Sequence, residues 1–427
     1  MKRISVLWAL LLSLLVSVPA YAEGLLAFPG AEGFGRFATG GRGGTIYHVT
    51  NLNDSGTGSF RDAVSQSNRI IVFDVSGVIH LKSPLIFKSN LTVLGQTAPG
   101  EGVQVYGDRV SFSGANNIIV RYIRFRMGVG GTSGADACGV SNGKNMIFDH
   151  LSVLWGRDEC FSVSWDNKGT MPSDITIQNS IIGQGLQSHS CGGLIQTEGG
   201  VTLYRNLYIE NKTRNPKVKG LNQFVNNVVY NWGGGGCYIM GDSEGPSWAH
   251  IENNYFMKGP WNGTAPFTRG NSNFKYYAAG NYYDTDKDGV ANGREVTESE
   301  YTSSGSSRVY DLETFDGITT RPKAHPTIVG MMSAEEALRW IIDSVGPCLP
   351  VRDEVDQYLI DELTSFGTKG STNGISSEKD LPHGGRLDQR HPSTLQSRNS
   401  QRWLKPLPRR LIHCLLPDQS SILHSNL

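Results

Sequence analysis

Short apolar runs punctuated by asparagine recur through the middle of the chain. Asn179, Asn206, Asn227, Asn254 and Asn281 are followed by Ser180-Ile181-Ile182, Leu207-Tyr208-Ile209, Val228-Val229-Tyr230, Tyr255-Phe256-Met257 and Tyr282-Tyr283. The spacings are 27, 21, 27 and 27 residues, and His150-Leu151-Ser152-Val153 and Tyr122-Ile123-Arg124-Phe125 extend the register backwards by 29 and 28. A fixed period in this range marks an architecture of stacked units, each burying its apolar face only against its neighbours. The runs are β-branched or aromatic, Gly and Asn fill the breaks, and no helix of about ten residues fits between them. The pattern predicts an all-β chain, a right-handed parallel β-helix with one coil per period. Asparagines stacked at a bend can hydrogen-bond along the ladder and tolerate left-handed backbone there. An antiparallel sandwich with irregular loops has no reason to keep such a register.

The pattern changes at both ends. Lys2-Arg3, the apolar stretch Ile4 to Val16 and Ala20-Tyr21-Ala22 read as a secretory signal over 1–22, which predicts an exported protein, extracellular or periplasmic. That stretch is short for a membrane span and no later segment is longer, so no membrane partner is expected. The β-helix is expected over 23–320 and a helical cap over 321–366. Ser333-Ala334-Glu335-Glu336 is a capping box opening Ala337 to Ile342, with Gly346-Pro347 as the stop. A second helix is expected from Pro350 to about Leu363, with Val351, Val355, Leu359 and Leu363 on one face. Solenoid ends need covering, which would be the role of these helices. Residues 367–427 read as an unstructured tail. Glycine disappears after Gly385 while Arg, Leu, Pro, Ser, Gln and His dominate, as after a change of reading frame.

Composition agrees with one extended core: 52 Gly in 427 residues and 18% charged residues mean many turns and few long amphipathic helices. Net charge is zero but unevenly spread. The last 42 residues carry seven Lys/Arg against two Asp/Glu, leaving the body between signal and tail with thirty against thirty-seven. An acidic body argues against nucleic-acid binding, which needs a broad basic surface. Six cysteines, at 138, 160, 191, 237, 348 and 414, show no C-x-x-C spacing and support no disulfide framework. Cys138 and Cys160 fall on adjacent coils, where buried free thiols are the plain alternative to a bridge.

Against that acidic background stands Thr213-Arg214-Asn215-Pro216-Lys217-Val218-Lys219-Gly220, three cations in six residues on a turn between two strand-like runs. Taken alone it reads either as a solvated turn or as a scaffolded site for a polyanionic carbohydrate, whose carboxylates need cationic partners. A separate run, Asp284-Thr285-Asp286-Lys287-Asp288-Gly289-Val290-Ala291-Asn292-Gly293-Arg294-Glu295, fits the twelve-position calcium loop through Asp284, Asp286, Asp288, Asn292 and Glu295. It follows a strand rather than a helix, so it reads either as a structural calcium loop or as an acidic loop without metal.

Several further segments carry a resemblance. They are Phe28-Pro29-Gly30-Ala31-Glu32-Gly33-Phe34-Gly35, Gly58-Ser59-Phe60-Arg61-Asp62-Ala63, Gly95-Gln96-Thr97-Ala98-Pro99-Gly100, Ile118 to Arg126 and Ile147-Phe148-Asp149-His150. With Arg214-Asn215-Pro216-Lys217-Val218-Lys219, an R-x-P-x-x-R element ending in Lys, the chain from about 27 to 300 resembles the pectate lyases of polysaccharide lyase family one. The resemblance implies cleavage of polygalacturonate by β-elimination, with Arg214 at the base position and Lys219 and Lys217 on substrate carboxylates. It implies calcium held by Asp136 and Asp158. The third family ligand position holds Ser162, leaving Glu159 as the compensating acid. The family's substrate-binding lysine has no clear match, and His189 is the nearest candidate.

The resemblance also implies a monomer acting on an anionic cell-wall polysaccharide. Three other readings remain: a metal-independent pectin lyase, a non-catalytic β-helix adhesin, and a hydrolase. The hydrolase would need paired carboxylates, and the chain holds no Asp-Asp dipeptide.

Overall fold

A computed structural model describes residues 24–301, 305–382, 384 and 393–394. The expected signal over 1–22 lies outside the described residues. So does nearly all of the tail beyond 384, apart from 393–394, a two-residue strand antiparallel to Val75–Ser76.

The chain winds as a parallel β-helix, each coil laying down three strands. One coil runs Cys138–Val140, Lys144–Asp149 and Ser152–Leu154, and the next Phe161–Ser164, Ser173–Gln178 and Ile181–Gly183. Like strands stack in register, Met146 on Ile175, Phe148 on Ile177 and Ser152 on Ile181. First and second strands form a 17-stranded sheet, and third strands belong to an 11-stranded one. In two coils the first and second strands fuse into Leu194–Tyr204 and Lys217–Val225. Alternation sends Phe112, Phe148 and Phe161 inward, where their rings follow one another at 4.8 and 5.0 Å in edge-on contact.

The predicted asparagine ladder exists with one correction. The Asn206 side-chain amide donates to Asn227 Oδ1 (3.1 Å), Asn227 to Asn254 (3.1 Å) and Asn254 to Asn281 (2.8 Å). Each acceptor also takes the backbone N–H of the asparagine one coil earlier. Asn179 is not a rung: Ser180 holds that place, donating its N–H to Asn206 Oδ1 and accepting from Leu151 N–H. Asn179 stands one position earlier, in a left-handed column with Tyr122, His150, Arg205, Asn226 and Asn253, all at φ between 53° and 56°. The bend therefore divides its two requirements between consecutive residues. A second ladder at another corner joins Asn68, Asn90, Asn117 and Asn145 at 3.0–3.2 Å.

The helices form as expected but do not cap the solenoid end. Ala334–Ser344 opens with the Ser333/Glu336 capping box, and Glu354–Leu363 starts after its N-cap Asp353 rather than at Pro350. Their buried faces, including Leu338, Ile341, Leu359 and Leu363, pack on Leu154, Ile181, Leu207, Val228 and Tyr255 from successive third strands. They brace the flank. The expected tail is also ordered over 367–382: Glu378 is fully buried and accepts from Tyr106 Oη (2.5 Å) and Val129 N (2.8 Å).

Four charges fasten this brace. Arg124 and Arg126 project from one face of a third strand. Arg126 donates to Asp353 (2.7 and 3.0 Å) and Asp356 (2.8 Å), Arg124 lies 3.1 Å from Asp353, and Ser152 Oγ donates to Asp356 (2.6 Å). All four charged side chains are at most 1% exposed. Burial pushes the Asp353 carboxyl up, but Arg124 and Arg126 together draw it well below the usual range. On the second helix, Glu362 faces Glu210; burial and that neighbour push Glu362 up to about 8.

Breaking a buried pair strands an unpaired charge, so Arg126→Met should cost about 3–5 kcal/mol in denaturant unfolding; a cost under about 1 kcal/mol would show the cluster does not hold the brace. Glu362 keeps a proton in the fold that the unfolded chain releases. Its contribution to stability is therefore full below its ordinary 4.5 and declines as pH rises towards about 8. Glu362→Gln should flatten that decline in melting curves taken across this range, and an unchanged slope would remove Glu362 as its source.

Candidate active site

The turns between third and first strands are long on three successive coils, bridging Leu154 to Phe161, Gly183 to Leu194 and Ile209 to Lys217. Side chains on such loops stay reachable while the sheet positions their bases. The loops also keep register, with Glu159 bridged to Cys191 and Cys191 to Thr213. This is how Arg214, 55 residues from Glu159 in sequence, donates its guanidinium to the Glu159 carboxylate. The Arg214 side chain is 27% exposed and Glu159 only 4%, so the guanidinium is the open partner and the carboxylate the enclosed one.

Asp136 and Asp158 join this pair. Carboxylate oxygens of Asp136, Asp158 and Glu159 lie within 4.8 Å of one another. Glu159 N–H donates to Asp136 Oδ1 (3.3 Å), and Ser162, the neutral residue at the expected third ligand position, hydrogen-bonds Asp136 through its hydroxyl. His189 Nε2 stands 3.0 Å from Asp158 Oδ1 but off hydrogen-bond geometry, leaving that buried oxygen unsatisfied.

The titration shifts follow from this crowding. Burial raises Asp136; burial and then Glu159 push Asp158 to about 6; burial and then Asp136 raise Glu159 despite its bond to Arg214. Arg214 is raised even though burial opposes it, because Cys191 and Glu159 favour its charge. The two partners point in opposite senses for one reason: three buried acids share one guanidinium. The cluster is short of positive charge, and an all-oxygen set with an unsatisfied buried acceptor fits a hard divalent cation such as calcium.

The lysines lie further along the same edge. In Lys217–Val225, Lys217 and Lys219 alternate with fully buried Val218 and so share an outward face. Lys217 Nζ is 3.6 Å from Asp242, which also binds Arg269 (3.2 Å). Lys219 lines a cleft of about 310 Å³ with Trp165, Met171, Gln196, Glu198 and Pro246. Arg214, Glu159, Asp136, Asp158 and His189 thus come together, with the two lysines on the adjoining strip.

The Asp284–Glu295 loop does not gather its oxygens. Asp284 is buried and accepts from Tyr255 Oη and Asn292 N, both at 3.2 Å. Asp288 accepts from Val290 N and Asn292 Nδ2. Glu295 lies exposed on a short strand paired with Tyr282, and these acids form none of the metal-competent groups among the described residues. The loop closes on its own hydrogen bonds.

Sequence reasoning missed Trp165 and Cys191. Cys191 has its thiol within 4.8 Å of ligand atoms on Asp158 and His189, and only its place one coil from Glu159 could have marked it. Cys138, Cys160, Cys191, Cys237 and Cys348 are all free thiols.

No family model matches the chain. Among curated proteins, probable pectate lyase C of Neosartorya fischeri is 54% identical over 378 residues, covering 88% of this chain and 86% of the relative. Probable pectate lyase C of Emericella nidulans is 55% identical over 366 residues, covering 85% and 81%. Among solved structures, the thermostable pectate lyase PL 47 superposes with a TM-score of 0.52 at 15% identity, over 76% of this chain and 98% of its own. A Bacillus sp. N165 pectate lyase in complex with trigalacturonate gives 0.51 at 15%, over 74% and 98%. These structures share the fold.

Proposed function

The chain belongs to the pectate lyases, enzymes that cleave polygalacturonate, and from that premise we propose how its own residues divide the work. β-Elimination removes the proton on C5, next to the uronate carboxylate. The C–H electrons become the C4–C5 double bond, and the C4–O4 bond breaks as O4 gains a proton. Charge accumulates on the carboxylate as C5 is deprotonated, so fixed positive charge there lowers the barrier.

Arg214 is the residue proposed to act at C5. The observation that carries this is its bond to Glu159, a member of the three-acid cluster. A guanidinium is a poor base, since its free pKa exceeds about 12, and in the resting site the acids hold it charged. Turnover therefore requires Glu159 to be shared with another cation. Asp136, Asp158 and Glu159 would hold calcium, which when bound supplies positive charge against a substrate carboxylate. Lys219 anchors a second uronate as a point charge, Lys217 assists beside Asp242, and His189 contacts substrate from the outer rim. A polymeric substrate fits export through residues 1–22, with the enzyme acting as a monomer.

Unsaturated-product absorbance from polygalacturonate tests this division. Arg214→Lys should lower kcat by about 10²–10⁴ with KM little changed, because a proton-transfer group matters mainly in the transition state. Lys219→Ala should instead raise KM. Chelation should suppress the parent and calcium restore it, with activity climbing towards alkaline pH. Near-normal kcat in Arg214→Lys would reduce this turn to a binding element, and full activity after chelation would remove calcium from the site.

A further inference from the structure

Asp158 belongs to two groups of convergent ligands. One is the oxygen-only trio with Asp136 and Glu159; the other joins Asp158 to His189 and Cys191, whose ligand atoms also lie within 4.8 Å of one another. We propose that Asp158, His189 and Cys191 form a second cation site, for a borderline divalent ion of the zinc class. Its occupation takes Asp158 away from the carboxylate trio and so inhibits the enzyme.

The donor chemistry separates the two sites. Calcium takes oxygen ligands, whereas an imidazole, a thiolate and one carboxylate select zinc and its first-row neighbours. Zinc bonds of about 2.0–2.3 Å place ligand atoms about 3–4 Å apart, which the present separations reach with small side-chain movements. His189 Nε2 is already 3.0 Å from Asp158 Oδ1, the buried oxygen without a hydrogen bond. The Asp158 side chain is 30% exposed and His189 56%, so an ion can enter from solvent although Cys191 is buried. On binding, the thiol proton passes to water and the metal takes its place, with three protein ligands and a fourth position left to water.

A third group, His250, Asp316 and His325, lacks this openness. Arg321 occupies it, within 2.9 Å of both Asp316 Oδ1 and His325 Nδ1, and the two imidazoles stack within 10° of parallel, so their nitrogens cannot aim at one ion.

The binding claim is independent of the catalytic proposal; the inhibitory claim rests on it. Metal-free protein titrated with Co²⁺ should develop a sulfur-to-cobalt charge-transfer band, displaced by Zn²⁺. Cys191→Ser should lack the band, and His189→Ala, altered on an exposed side chain that the fold does not need, should bind Co²⁺ about tenfold more weakly or worse. No band in the parent, or an undiminished one in Cys191→Ser, would overturn the site. In the product assay at saturating calcium, Zn²⁺ should inhibit the parent and spare Cys191→Ser. A band without inhibition in an active enzyme overturns the inhibitory role, whereas a band in a protein that forms no unsaturated product tells against the lyase assignment instead.

Discussion

Every functional feature of this molecule depends on in-register parallel pairing between successive coils. Pairing Leu194 with Lys217 and Gln196 with Lys219 aligns the outward side chains of neighbouring strands. The bridges from Glu159 through Cys191 to Thr213 carry the same alignment into the loops. A slip of one residue would turn Lys217 and Lys219 inward and Val218 outward, burying two charges in an aromatic core. The buried asparagine rungs oppose such a slip, because the side-chain oxygens of Asn227, Asn254 and Asn281 each receive two donors from the neighbouring coil.

Two charge clusters built on this frame illustrate opposite solutions to one problem. On the flank, Arg124 and Arg126 meet Asp353 and Asp356 in equal numbers, and the carbonyls of Glu101, Pro347 and Val351 accept from Nη1 and Nη2 of Arg124, while Arg124 Nε and Asp356 Oδ2 make no hydrogen bond. That cluster is buried and balanced in charge, and it locks a helix onto the sheet. At the loop edge three acids face one arginine, all three carboxyls are pushed up, and one buried oxygen lacks a partner. What separates the two clusters is charge: an excess of acid at the loop edge still attracts a cation, whereas the neutral flank cluster does not.

Much of this was legible in the sequence, because a solenoid writes its period into the chain. The β-helix, the capping box at Ser333 and the turn carrying Arg214 follow from spacing and residue type. The one-place error at Asn179 arose because rung and left-handed residue are neighbours, both often asparagine. The helices were placed at the solenoid end because periodicity reports which face is apolar and not what it packs against. Residues 367–382 show no period in the sequence, and their anchors, Glu378 and Ser371, are single polar residues bonded to distant coils. The Asp284 loop matches the motif in residue type, but Asp284 turns to Tyr255 Oη and Glu295 lies exposed on a short strand, so its oxygens do not gather. Cys191 carried no local signal, as its partners lie on other turns.

If Arg214 and the carboxylate trio are one electrostatic unit, guanidinium and calcium compete for Glu159. Calorimetric calcium titration of the parent and Arg214→Met, a variant lacking the guanidinium, tests this most directly. The variant should bind calcium more tightly, by roughly tenfold for a coupling of ordinary size. Unchanged or weaker affinity would contradict it, and would make Arg214 and the metal site independent neighbours.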